Sequence, residues 1–195
     1  MFSLKFVYGT MNSGKSTNLI LTAHKYESNN KKVCVMKSSI DSRSNCIDTR
    51  AGLSHKLDYI IKPEDDYNQL SFINKTTPDI ILIDESQFLS KQNIDVLKQY
   101  TKICPIICYG IKTDYMLNLF EGSKRLLEIA DELEEIKTVC HVCFNSNASI
   151  NCRYNLVNDN NDNNDIKIVK SGNQIDIGSE DKYMAICWNC YVKYD

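Results

Sequence analysis

The stretch Gly9-Thr10-Met11-Asn12-Ser13-Gly14-Lys15-Ser16 constrains this chain more than any other. Glycine, four residues and then Gly-Lys-Ser is the pattern of a loop that turns its backbone N–H groups inward around phosphate oxygens. Its flanks agree. Phe2-Ser3-Leu4-Lys5-Phe6-Val7-Tyr8 is aromatic-rich and partly alternating, a strand pattern, and Thr17 to Tyr26 carries apolar residues at helical spacing. In a strand–loop–helix unit the helix N-terminus adds partial positive charge at the phosphates. Lys15 then reaches the outer phosphates, and the Ser16 hydroxyl is placed to hold Mg²⁺. A glycine turn ahead of an ordinary capped helix is the alternative.

Composition narrows the class. The chain has 195 residues, enough for one sizeable core and a small appendix. It is 43% hydrophobic and 25% charged, with a formal net charge of -2. No bulk field draws it to nucleic acid or to acidic lipid, and no apolar run approaches the roughly twenty residues of a membrane span. The N-terminus lacks a secretory pattern, so a cytoplasmic location is expected. Nine cysteines cannot all pair, and in a reducing compartment metal binding or plain burial is their expected use.

Along the chain, Lys31 to Lys37 reads as a second strand and completes a βαβ unit, which implies a parallel α/β sheet with its ligand at the strands' C-terminal ends. Ser38 to Leu57 is polar and irregular. Arg43 and Arg50 within it are candidates for phosphate contact, solvated surface arginines being the alternative, and His55 gets no role. Pro63 to Ile73 carries a helix-start signature. Asp79-Ile80-Ile81-Leu82-Ile83-Asp84-Glu85 is a buried-strand run closed by two carboxylates. Such a strand delivers one acid for Mg²⁺ and a neighbour that serves as a base, unless the pair merely caps a helix. Asn93 to Tyr100 is amphipathic, Lys102 to Gly110 is another apolar strand, and Gly122 to Asp131 is a helix. Tyr115, in the loop between these last two, is either a wall for a nucleobase or surface packing. Cys34, Cys104 and Cys108 read as core residues, and Cys46 and Cys152 as bystanders.

A second domain is expected at 138–195, after an α/β domain at 1–137. Cys140-His141-Val142-Cys143 and Cys187-Trp188-Asn189-Cys190 are two knuckles that together offer four thiolates to a tetrahedral Zn²⁺. The spacer between them exceeds the usual 15–20 or so residues. Asn155 to Asp165, a polar tract with almost no core-forming residues, reads as an insertion. Four sulfurs leave no open position, so the zinc is expected to be structural.

These motifs, in this order, resemble the zinc-containing type II thymidine kinases nearly end to end. The resemblance is carried by the loop with its Met11, by Asp41-Ser42-Arg43, Asp84-Glu85-Ser86-Gln87-Phe88 and Tyr109 to Tyr115. It continues through Phe120-Glu121-Gly122-Ser123, Ala130-Asp131, the four cysteines and Ile177 to Tyr183. It implies transfer of the ATP γ-phosphoryl group to the thymidine 5′-hydroxyl. Glu85 would be the general base. Gly9, Thr10, Met11, Asn12, Ser13, Gly14, Lys15, Ser16, Asp84 and Gln87 would hold ATP, with Ser16 and Asp84 on Mg²⁺ and Arg43 on phosphate. A zinc-held lasso would close over the nucleoside, with Ile175, Ile177, Gly178 and Tyr183 reading the base and Met11, Phe88, Tyr115 and Phe120 beside it. A homotetramer, feedback by thymidine triphosphate and no nucleic-acid or membrane partner are further implications. The chain departs from the family at Tyr115, usually Phe, at Met116-Leu117, usually a more polar pair, and in its Asn/Asp tract. Two other readings compete: a P-loop ATPase with a zinc module for nucleic acid, which would need a basic face, and a non-catalytic zinc ribbon.

Overall fold

The structure is a computed structural model that describes residues 1–41, 45–158, 164–174 and 182–194. The chain opens with β1 (Leu4–Tyr8), α1 (Lys15–Glu27) and β2 (Val33–Ser38), the expected βαβ unit. A hairpin of β3 (Cys46–Asp48) and β4 (Ser54–Lys56) follows, then β5 (Tyr59–Ile61) and a short α2 (Phe72–Thr76). Next come β6 (Ile80–Asp84), α3 (Lys91–Tyr100), β7 (Ile106–Gly110), α4 (Glu121–Ile129) and β8 (Glu132–Glu135). The C-terminal part holds β9 (Ile150–Asn158), β10 (Asn164–Ile168), β11 (Tyr183–Ile186) and α5 (Trp188–Lys193).

Six strands form one parallel sheet in the order β5-β2-β6-β7-β1-β8. Strand β6 shows why both faces must be covered. Ile81 and Ile83 join Leu4, Phe6, Met36, Leu97 and Leu126 in one core cluster. Ile80 and Leu82 join Val7, Leu19, Ile20 and Val35 in another. Side chains alternate across a strand, so a strand apolar at every position is one buried on both sides. Cys34, Cys104 and Cys108 are core residues, as expected. A third cluster, around Cys140, Ile150, Cys152, Ile186, Cys187, Cys190 and Tyr191, is built entirely from the C-terminal part.

Four stretches differ from the sequence reading. The segment after β2 is not wholly irregular, since it carries the β3–β4 hairpin and then β5. Each of these strands is three residues long, too short for alternation to register. Strand β8 joins the free edge of β1 with only Leu133 as an apolar residue, and Lys5 pairs with Glu132 and Glu134 there. The helix expected from Pro63 begins only at Phe72. Asp65 accepts instead from the Tyr59 hydroxyl (3.0 Å) and the Lys62 N–H (2.9 Å), and Asp66 from the Asn68 N–H (2.7 Å), so the acids fold turns rather than a helix start. The flanks of the Asn/Asp tract pair as an antiparallel ladder, Asn158 opposite Asn164; residues 159–163 lie outside the described residues.

Asn93 ties these loops to the core. It is fully buried at the start of α3 and shares a capping box with Ser90. Its Nδ2 donates to the carbonyls of Lys62 (3.1 Å) and Asp65 (2.8 Å). Asn93→Ala removes the side-chain half of the capping box, which accepts from the Ser90 N–H, and leaves two carbonyls unpaired. A loss of about 2–4 kcal/mol is expected, at about 1 for the cap and 1–3 for the buried acceptors, read from chemical denaturation midpoints at constant slope.

Candidate active site

The loop 9–16 leaves β1 at the C-terminal edge of the sheet. Gly9 N–H donates to the Gly110 carbonyl (3.3 Å) and Ser13 N–H to the Thr10 carbonyl (3.3 Å). Gly14, with φ 85°, is the residue before α1, in a left-handed conformation that costs glycine least. Among the described residues no side chain caps α1, and no acid sits in its first turn, so its leading N–H groups face the cleft as an anion site.

Lys15 is buried under this loop, its ammonium donating to the Thr10 carbonyl at 2.7 Å and to Ser13 Oγ at 3.4 Å. Burial pulls its pKa down, against the opposing pull of Glu85 and Asp84. Asp84, at the end of β6, is only 3% exposed and accepts from Ser16 Oγ at 2.9 Å. Burial pushes its carboxyl up, against the bond from Ser16 and the charges of Lys37 and Lys15. Both groups favour their charged forms once a counter-charge enters the cleft: a cation beside Ser16 and Asp84, an anion over Lys15.

Glu85 follows in a left-handed conformation, φ 50°. A non-glycine residue held there costs of order 1–3 kcal/mol and persists where its surroundings dictate it. Here Ser86 Oγ donates to the Tyr109 carbonyl (2.9 Å), and Gln87 grips Glu85 from two residues on. The Gln87 Nε2 donates to Glu85 Oε2, while its Oε1 accepts from the Ile111 N–H at 3.2 Å.

The apolar wall is built by close backbone approach. A Cβ on Gly122 would collide with the carbonyls of Ser86 and Leu89, so glycine there lets α4 seat against the turn after Glu85. That seating brings Phe88 and Phe120 edge to face, 5.6 Å between centroids. Tyr115 is 2% exposed, under the Arg153 guanidinium at 5.4 Å and beside the Tyr183 ring at 6.1 Å. Its hydroxyl is buried without a hydrogen-bond partner among the described residues, and a Cβ on Gly172 would lie 2.8 Å from it.

The loop, the carboxylates and the aromatic wall line one cleft of about 590 Å³. Met11, Asn12, Gly14, Lys15 and Ser16 form one side, Asp84, Glu85, Gln87 and Phe88 another, and Tyr115, Phe120 and Tyr183 the apolar end. Arg43, Ile175, Ile177 and Gly178 lie outside the described residues. Sequence reasoning missed Lys37, Thr113, Asp114, Asn151 and Gln174, which also line the cleft. Arg50, left open above, lines it from the turn of the β3–β4 hairpin. His55 anchors that hairpin, its Nε2 3.0 Å from Glu27 of α1. Gln174 donates to Asp114 at 3.0 Å, so the segment after β10 rests on the loop after β7.

The four cysteines converge. The sulfurs of Cys140, Cys143, Cys187 and Cys190 all lie within 4.8 Å of one another, with Cys143 and Cys187 3.8 Å apart. Four thiolates at about 2.3 Å from a tetrahedral ion sit about 3.8 Å from each other, so the donor set fits such an ion. Backbone N–H groups, Asn145 first, hold the Cys143 thiol down to about 6. Burial and the neighbouring sulfurs push Cys190 up.

A buried lysine under a glycine loop, a hydroxyl–carboxylate pair, a second carboxylate and an aromatic wall together have the chemistry of a phosphoryl-transfer site, where alignment and charge do most of the work. Comparison with known proteins identifies the kind. The family model described as thymidine kinase matches residues 2–191. A thymidine kinase of Streptococcus pyogenes serotype M1 is 36% identical over 199 residues, covering 100% of both chains. One from Streptococcus agalactiae serotype Ia is 36% identical over 201 residues, again covering 100% of both. One from Streptococcus pyogenes serotype M6 is 37% identical, covering 98% of this chain and 97% of the relative. The chain belongs to the thymidine kinase family and is an enzyme of that family.

The cysteine cluster makes a direct prediction. The wild-type chain is expected to bind one tetrahedral ion per chain by elemental analysis. Cys143→Ser is expected to weaken that binding by more than the roughly 10–100-fold that changes around a metal site cost, with a lowered melting temperature.

Proposed function

We propose that this enzyme transfers the γ-phosphoryl group of ATP to the 5′-hydroxyl of thymidine, giving thymidine monophosphate. One observation carries the reading: Lys15, Ser16, Asp84, Glu85 and the aromatic wall share a single cleft. Backbone groups of residues 9–16 and the Lys15 ammonium hold the triphosphate. Ser16 and Asp84 hold Mg²⁺, which supplies charge neutralisation along the phosphates. Arg43 is a further phosphate contact and Gln87 a further ATP contact. The Gln87 amide is already bonded to Glu85 and Ile111, which suits a residue that aims the base.

Glu85 takes the proton of the attacking hydroxyl. Asp84 accepts from Ser16 Oγ and Glu85 from the Gln87 amide, so the two acids serve different partners. Phe88, Phe120 and Tyr115, with Met11 and Tyr183, provide flat apolar surfaces for the sugar and base, and Ile175, Ile177 and Gly178 complete the thymine edge. Main-chain pairing to a buried base edge would discriminate strongly against cytosine. Residues 138–195 form the lasso domain on the 1–137 α/β domain, and the four-thiolate site holds a structural Zn²⁺.

Labelled ATP with a panel of nucleosides tests the reaction. Label is expected in thymidine and not in cytidine or deoxycytidine. DNA-stimulated ATP hydrolysis without nucleoside labelling would replace this reading with the ATPase one. Glu85→Gln is expected to keep ATP binding and lower kcat by roughly 10²–10⁴-fold; near-normal turnover would remove Glu85 from the role of base.

A further inference from the structure

Asn151 belongs to no motif, yet it hydrogen-bonds the glycine loop from within the cysteine module. It is the second residue of β9 and 4% exposed. On either side of it, Ile150 and Cys152 pack with Cys140, Cys187 and Cys190. Because side chains alternate along a strand, Asn151 points the other way, into the cleft. Its strand is paired through Asn151 opposite Ala185 to β11, which runs directly into Cys187.

The Asn151 amide makes two bonds, to two loops of the α/β sheet. Its Oδ1 accepts from the Met11 N–H at 2.7 Å. Its Nδ2 donates to the Thr113 carbonyl at 3.4 Å. The first bond fixes the tip of the glycine loop, between Thr10, whose carbonyl takes the Lys15 ammonium at 2.7 Å, and Asn12. Asn12, next in sequence, has φ 61°, and the turn's own hydrogen bond, from Ser13 to Thr10, is 3.3 Å long. A loop that is not fixed beforehand must be ordered by its ligand, and that ordering is subtracted from affinity.

We infer that Asn151 is a positioning residue through which the metal-loaded cysteine module fixes the glycine loop and sets its affinity for a polyphosphate. The inference rests on the reading of residues 9–16 as the donor-phosphate loop. The metal orders β9 and β11, β9 aims Asn151, and Asn151 holds the Met11 backbone in the conformation that receives phosphate. The metal thus acts on the nucleotide donor, at a site to which it contributes no ligand.

The test is calorimetric titration with a non-hydrolysable ATP analogue and magnesium, on the full chain with its metal. Asn151→Ala removes both bonds, and Asn151→Leu removes them while keeping a side chain of the same heavy-atom number and branching. Each is expected to bind the analogue about tenfold more weakly, about 1.4 kcal/mol, with wild-type metal content and a melting temperature within a few degrees. Chelating the metal from the wild type is expected to cause a similar loss, and from Asn151→Leu less than a further twofold loss. Unchanged affinity in both variants overturns the inference. So does an equal loss on chelation from wild type and variant, since the metal would then act by another route. The outcome is separable from the assigned reaction: a chain that ignores thymidine but shows this metal- and Asn151-dependent binding supports the link, and a working thymidine kinase indifferent to Asn151 refutes it.

Discussion

Two buried ionisable groups, Lys15 and Asp84, set the terms for the rest of this molecule. Each is held where burial works against its charge. Removing charges from water is costly, and a fold keeps them there only when rigid surroundings leave no alternative. The rigidity comes from β6, β7 and β1, adjacent in the sheet and packed on both faces. Strand β1 ends in the loop over Lys15, β6 ends in Asp84, and β7 lies between them with its Gly110 carbonyl pinning Gly9. A cleft with a buried lysine on one wall and a buried aspartate on another is prepared for a ligand that brings both signs, such as a nucleotide polyphosphate with a divalent cation.

The same edge stores backbone strain at Glu85. Its neighbours Ser86, Gln87, Tyr109 and Ile111 form a hydrogen-bonded collar that over-determines the turn. The collar also fixes the floor on which Gly122 lets α4 settle, and so the Phe88–Phe120 pair. Reactive carboxylate and apolar wall are therefore one rigid unit. The opposite wall is anchored too: Ile47 of β3 is buried in the core beside Leu19 and Ile20, and His55 reaches Glu27 of α1.

Short motifs were legible in the sequence because each is governed by local rules. The glycine loop, the all-apolar β6 with Asp84 and Glu85 at its end, and the paired Cys-x-x-Cys knuckles each fit within a few residues of pattern. Strand β8 and the β3–β4 hairpin were not legible. Glu132-Leu133-Glu134-Glu135 is a strand only because β1 offers an unpaired edge, and Ser54-His55-Lys56 only because Cys46-Ile47-Asp48 lies opposite. Tyr115 is a similar case: its place in the wall is visible as an aromatic in a strand-end loop, but the fit of its hydroxyl beneath Gly172 is not.

By itself the sequence determined the chemistry on offer: a phosphate-cradling loop, two carboxylates at a strand end and four thiolates in two pairs. Spacing along a chain encodes these because each is made by residues a few positions apart. Only the tertiary structure decided how they meet. Asn151 reaches Met11 across 140 residues of sequence, and Gln174 reaches Asp114 across 60. Such contacts follow from how sheets and strands pack, and no local pattern of residues carries that information.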